Sequence, residues 1–310
     1  MTLFDGFTAH DLRTPRGPVH ALVGGDGPPL LLLHGYPQSL AMWRTTAPLL
    51  SARHTVVVAD LAGYGASVRP SPTPDHAAHS KRAMARDQIE AMAALGFDRF
   101  AVAGHDRGGR VAYRMALDHP ERVERLAVLD IVPTSDVYRQ RARDFARGYW
   151  HWAFLAQPAP LPERLIGADP ATFFDLHVRE GMGLGREPSR YPTDVMAIYR
   201  SALDDPGAVR AMCEDYRAGA SIDVDLDEAD RRQRRRITCP VLVLWAAHGS
   251  LPKTYRDVLE VWRHWAPDAT GSAIDAAHFL AEDRPEEVAA ALLAFTSQTS
   301  TVASPPLTPS

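Results

Sequence analysis

Cysteine and lysine are nearly missing from this chain of 310 residues. Cys213 and Cys239 are its two cysteines. Two are too few for a disulfide framework, and they have no metal-ligand spacing, so both are read as reduced, inert thiols. Lysine stands only at Lys81 and Lys253, and arginine carries the rest of the positive side-chain charge. Arginines here therefore partly reflect composition, and each needs a local argument before it is given a role. No apolar run approaches the ~20 residues that a membrane helix requires. Met1 to Gly17 has no basic stretch followed by an apolar one, which predicts no secretory leader. A net charge of -4 with 45% hydrophobic residues excludes a predominantly basic nucleic-acid binder and a membrane protein. A cytoplasmic enzyme with no metal is expected. The length suits one large domain, or a core with an inserted lid.

The chain alternates strand and helix signals over its first 130 residues. Phe7 to Thr14 and Pro18 to Val23 read as short strands around a turn at Arg16-Gly17. Pro29 to Leu33, Thr55 to Val58, Phe100 to Ala103 and Val123 to Leu129 are continuous apolar runs, the pattern of strands buried on both faces of a mostly parallel sheet. Residues 68–79 read as a surface loop, Ser80 to Leu95 as a helix, and Val111 to Leu117 as another. From about Ile131 to Asp230 the alternation stops, and aromatic and helical segments punctuated by eight prolines take over. Asp223 to Asp230 is acidic and Arg231 to Arg236 basic, a solvated junction rather than a nucleic-acid patch, because the basic run abuts its own counter-charges. Strand and helix then resume with Pro240 to Trp245, Tyr255 to Trp265, Gly271 to Ile274, and a last helix opened by Pro285. The prediction is an α/β fold: residues 1–133 and 231–296 form the core, 134–230 an inserted helical cap, and 297–310 a disordered tail.

The organising stretch is Gly104-His105-Asp106-Arg107-Gly108. Strand before and helix after, Gly-x-Asp-x-Gly has the spacing of a nucleophile elbow with aspartate in the place of serine. Aspartate is already an anion near neutral pH. It attacks an electrophilic carbon without a base and forms an ester, which suits displacement at saturated carbon. Arg107 and Arg110 follow, i and i+3 on the first helical turn. Cations there oppose the helix dipole, so stability does not explain them and a fork for a substrate carboxylate does. His278, in a small-residue loop after the last strand, is the expected base for water, and Asp130, at the end of its strand, the acid that orients it. The rival acid position, Ala246-Ala247-His248-Gly249, offers no carboxylate. The loop His34-Gly35-Tyr36-Pro37 is expected to supply an oxyanion-hole N–H from Tyr36, with the N–H of Arg107 as partner.

With Gly104 to Arg110, Leu126-Ala127-Val128-Leu129-Asp130, Tyr149-Trp150-His151-Trp152, Phe154 to Pro160 and Cys213-Glu214-Asp215-Tyr216-Arg217-Ala218-Gly219, the chain resembles the fluoroacetate dehalogenases from about residue 28 to 295. These are α/β-hydrolase-fold enzymes that convert haloacetates to glycolate and halide without a cofactor. The resemblance implies a triad of Asp106, Asp130 and His278, a carboxylate clamp of Arg107 and Arg110, a halide pocket of His151, Trp152 and Tyr216, and a homodimer. The three halide residues make chemical sense together, since each can donate a hydrogen bond, at ~1.5–3 kcal/mol for each bond to a charged group. One departure stands out: family members carry a tryptophan in the stretch matching Arg179 to Gly183, where Met182 is the nearest match here, which implies a wider pocket.

Two rivals remain in view. Epoxide hydrolysis uses the same scaffold with cap tyrosines, but Tyr216 is a thin basis for it and an epoxide needs no arginine fork. A non-catalytic ligand receptor is the other, since fold alone never fixes function; a degraded triad would mark it, and all three members are present.

Overall fold

The computed structural model describes residues 3–185 and 188–298. Eight strands form one sheet in the order β1-β2-β4-β3-β5-β6-β7-β8. They are β1 (Phe7–Thr14), β2 (Gly17–Gly24), β3 (Pro29–Leu33), β4 (Thr55–Ala59), β5 (Phe100–His105), β6 (Val123–Leu129), β7 (Val241–Ala246) and β8 (Thr270–Ile274). β1, β2 and β4 pair antiparallel, and every pairing from β4 through β3 to β8 is parallel. Every residue of β5 is buried, as expected of strands covered on both faces by helices. The Arg107–Asp118 helix packs against β5 and β6 and against the Lys81–Ala94 helix.

Register decides where the chemistry sits. Leu33 lies beside Gly104, His105 beside Leu129, and Leu129 beside Leu244. The carboxyl ends of β3, β5, β6 and β7 thus finish level, and the loops after them open on one side, where parallel α/β sheets hold their ligands. Between β6 and β7 every described element is a helix, from Thr134–Tyr138 to Ile222–Arg232. At the end of that stretch Arg231 pairs with Asp136, and Arg235 with Asp230.

Two predicted elements differ. The helix expected from Val111 begins four residues earlier, at Arg107, directly after the turn. The helix expected over Tyr255 to Trp265 is shorter, Val258–Arg263, and a separate short helix, Leu251–Thr254, precedes it. Asp257 sets the later start: its side chain accepts from the N–H groups of Leu259 and Glu260 and caps the helix. Most of the predicted tail, residues 299–310, lies outside the described residues. Among the described residues no helix is long and apolar enough to cross a membrane.

Candidate active site

Asp106 occupies the tip of the turn between β5 and the helix that follows, with φ 45° and ψ -115°. An L-residue at positive φ is strained, and such strain collects at functional sites. Asp130, at the end of β6, shares the feature with φ 52°. The Asp106 carboxylate is held from one side: the Tyr36 N–H donates to its Oδ1 at 2.9 Å. Gly35 permits this approach, since a Cβ there would lie 2.5 Å from the Asp106 Cβ. The other oxygen, Oδ2, faces the His278 Nε2 at 4.0 Å.

His278 is oriented from behind. Its Nδ1 lies 2.7 Å from the Asp130 Oδ2, and because a carboxylate only accepts, Nδ1 carries the proton and Nε2 is turned toward Asp106. The Asp130 Oδ1 is fixed by the Ala246 N–H at 2.9 Å. The His278 Nε2 is buried with no hydrogen-bond partner among the described residues. Asp106, Asp130 and His278, predicted from three separate loops, meet in one chain of contacts.

Electrostatics fit these positions. Burial works against ionisation of Asp106, but the charges of His278, His105, Arg107 and Arg110 outweigh it and bring its pKa down to about 2. Burial likewise works against a charged His278. The hydrogen bond and charge of Asp130, with the charge of Asp106, overcome it and raise the imidazole above its ordinary 6.5. An ionised carboxylate therefore faces an imidazole whose charged form it helps to stabilise.

The two arginines are engaged differently from a free fork. Arg107 is fully buried, and its Nε and Nη2 bind the two carboxylate oxygens of Asp215 at 2.8 and 2.7 Å. Asp215 also holds the Lys81 ammonium and the Tyr64 hydroxyl. Arg110 donates from Nη1 to the Val132 carbonyl and to Thr134. Neither guanidinium is a wholly free fork. What remains is narrower: Arg107 Nη1 and Arg110 Nε are buried donors with no partner among the described residues.

A cavity of about 340 Å³ opens over Asp106 and His278 and is lined by Arg110, His151, Trp152 and His177 among others. Arg107, Tyr36 and Tyr216 stand behind that lining. Tyr216 is edge-on to Tyr36 at 5.3 Å and to Trp152 at 5.9 Å, and His151 stacks on Tyr36 at 6.4 Å. Arg107 lies 4.2 Å over the Tyr216 ring and Arg110 4.5 Å over the Trp152 ring. Burial, followed by the neighbouring His177, pushes the His151 pKa well down, and burial pushes Tyr216 well up. Both side chains are consequently neutral near pH 7, each with a hydrogen to donate. Gly181 and Met182 complete the wall, with no aromatic ring from that stretch. A second cavity, about 380 Å³, lies between Gln38, Asp60, Arg69 and Tyr199 and contains none of these catalytic candidates. Among the described residues no group of three or more His, Cys, Asp or Glu is placed to hold a metal ion.

Residues 28–285 match the family model for the alpha/beta hydrolase fold. A fluoroacetate dehalogenase from Burkholderia sp is 44% identical over 295 residues, covering 95% of this chain and 95% of the relative. The chain belongs to the fluoroacetate dehalogenase family of α/β hydrolases. The soluble epoxide hydrolase of Corynebacterium sp. (strain C12) is 30% identical over 285 residues, covering 89% of this chain and 93% of that one. Among solved structures, an alpha/beta hydrolase from Nostoc sp PCC 7120 superposes with a TM-score of 0.90 at 46% identity, covering 94% of this chain and 98% of that chain.

For this dehalogenase-family chain, sequence reasoning missed Asp215, Lys81, Tyr64 and His177. Asp215 left a trace, as a carboxylate inside a helix that is buried from Met212 to Gly219. His177 left another: Phe174, His177 and Val178 are the buried positions of their segment, at the i, i+3, i+4 spacing of an inward face.

Proposed function

We propose that this chain hydrolyses short 2-haloacids, fluoroacetate and chloroacetate first, to the 2-hydroxyacid and halide, with the helical stretch 134–230 acting as cap. The observation that carries the reading is the pair of buried, unpartnered donors, Arg107 Nη1 and Arg110 Nε, beside a carboxylate kept ionised. Such donors are costly unless a ligand satisfies them, and a carboxylate does so with charge assistance.

With the substrate carboxylate on those two N–H groups, the halogen-bearing carbon faces Asp106. The Asp106 Oδ1 is occupied by the Tyr36 N–H, so Oδ2 is the attacking oxygen. It forms a C–O bond as the C–X bond breaks, and the halide leaves with the electron pair toward His151, Trp152 and Tyr216. These three replace the solvation that fluoride needs in order to depart. Asp106 is now a neutral ester. His278 takes a proton from water through Nε2, the water oxygen attacks the Asp106 carbonyl carbon, and charge develops on Oδ1 against the Tyr36 N–H. On collapse His278 returns its proton to the departing alkoxide oxygen, giving the hydroxyacid, while the Asp106 carboxyl loses the water's second proton to solvent and keeps the solvent oxygen. The expected second oxyanion donor is the N–H of Arg107, the first residue of its helix and so free of an intrahelical bond.

Epoxide hydrolysis has a relative at 30% identity, but an epoxide gives the two arginine donors nothing to bind. The test is halide release from fluoroacetate and chloroacetate by ion-selective electrode. We expect both halides from the wild type, and a loss of about a thousandfold or more in Asp106→Asn. Diol formation from an epoxide by protein that releases neither halide would overturn the reading in favour of the epoxide rival.

A further inference from the structure

One hydrogen-bonding side chain of the cavity wall has no task in that reaction. His177 sits on the π-helical stretch Phe174–Gly181 and lines the same cavity as Asp106, His151 and Met182. It is 3% exposed, yet neither Nδ1 nor Nε2 has a hydrogen-bond partner among the described residues. Aromatic rings surround it: His151 at 4.7 Å, Trp150 at 4.9 Å, Phe173 at 5.1 Å and Tyr36 at 6.0 Å between centroids. If packing were its purpose, a phenylalanine would fill this nest without burying two polar nitrogens. Buried polar groups in native proteins have partners, so an unoccupied imidazole facing a cavity points to something that enters the cavity.

The chemistry of that visitor follows from what does and does not reach the ring. Burial alone lowers the His177 pKa, to about 4, whereas Asp106 and Arg107 both act on His151. The His151 ring reaches that of Tyr216, over which Arg107 lies, at 6.0 Å. The rings beside His177 are instead His151, Trp150, Phe173 and Tyr36, and His177 is neutral near pH 7 with one N–H to give. It does not belong to the carboxylate end of the site, and it is not a base for the water. It adjoins His151 in the same cavity, the residue toward which the proposed reaction sends its leaving group.

We propose that His177 extends the leaving-group pocket past His151, its ring N–H binding the halide ion as that ion moves away from carbon. The inference rests on the dehalogenase reading for the source of the halide. The site itself is a halide-binding site that can be tested without turnover. Such a donor acts most strongly on the smallest and most strongly hydrated halide, since fluoride has most solvation to replace.

Three proteins test it: wild type, His177→Phe, which keeps a ring and loses the donor, and His177→Gln, which keeps a donor. Sodium fluoride and sodium chloride are titrated at constant ionic strength while tryptophan fluorescence is followed; Trp150, against the His177 ring, is the reporter. Losing one hydrogen bond to an anion should weaken fluoride binding about tenfold in His177→Phe, with His177→Gln within about threefold of wild type. In turnover, kcat for fluoroacetate should fall about tenfold in His177→Phe and that for chloroacetate about threefold or less, with His177→Gln recovering most of the loss. Halide binding as tight in His177→Phe as in wild type would overturn the proposal, as would equal losses on both substrates or a glutamine variant no better than phenylalanine. Should His177→Phe fail to fold, His177→Leu carries the same comparison. If wild type releases no halide from either substrate but its halide titration depends on His177, the dehalogenase reading fails and the halide site stands.

Discussion

Gly108 has no room for a side chain. A Cβ there would lie 2.4 Å from the His34 carbonyl oxygen and 2.6 Å from that of Leu33, both main-chain atoms that cannot rotate aside. Gly108→Ala should therefore push the helix start off β3 and cost about 1–3 kcal/mol or more, as overpacking does. Thermal unfolding checks the stability, and halide release should fall with it because Asp106 shares the turn. Melting and turnover unchanged from wild type would mean that the elbow is looser than its contacts imply. At this scale the sequence was legible wherever a requirement is local. Asp106 was found because its turn needs glycines two residues to either side. The true state of Arg107 was illegible for the opposite reason, since the carboxylate that occupies its fork is 108 positions away. Helix-dipole reasoning identified the arginine as anomalous and could not say that a protein carboxylate, with a ligand taking only the remaining N–H, resolves the anomaly.

That carboxylate makes one helix a structural keystone of the site. The Pro206–Gly219 helix carries Asp215 between Arg107 and Lys81 on one side and presents Tyr216 to Tyr36 and Trp152 on the other. Both cations are fully or nearly fully buried. Replacing Asp215 by Asn leaves them without their counter-charge, and removing one partner from a buried ionic cluster typically costs about 3–5 kcal/mol. We expect that order of loss for Asp215→Asn in urea denaturation at pH 7. The pH dependence fixes the cause. Burial opposes ionisation of Asp215, but Arg107 and Lys81 overcome it and hold its pKa well below the ordinary 3.8. Its stabilisation is therefore full above the unfolded pKa and is lost as pH falls toward the folded one. Wild type and Asp215→Asn should converge in stability on acidification below about pH 4; a constant difference down to pH 2 would make the loss one of packing. Elements of this kind are readable as helices and unreadable as partners. The helix expected from Tyr255 shows the limit of periodicity: Asp257 caps it and moves its start to Val258 without disturbing the apolar spacing.

At the scale of the molecule, the site exists because four strands end level. Tyr36 follows β3, Asp106 follows β5, Asp130 follows β6 and His278 follows β8, so the sheet order, legible as alternating apolar runs, delivers the triad. The wall facing it comes from the helical stretch, where single residues such as His177 depend on packing between distant segments and carry little local signature. One prediction needs the whole assembly. Resting His278 is held above its ordinary pKa partly by the Asp106 charge, and esterification of Asp106 abolishes that charge. The imidazole must become less basic once the ester forms, which shifts it toward the neutral base that the next step needs. Alkylation depends on Asp106, already ionised with its pKa at about 2, and should be flat from about pH 5 to 9. Ester hydrolysis should rise with pH through the His278 pKa of the ester state and then level off. Rapid quench separates the two steps: a halide burst of constant rate at every pH, followed by hydroxyacid release that slows on acidification, so that ester accumulates at low pH. His278→Asn should accumulate the same ester at every pH, visible as a mass increase on the protein. A halide burst that itself slows as pH falls from 7 to 5 would place the titrating group in the first step and remove His278 from its role as the base for water.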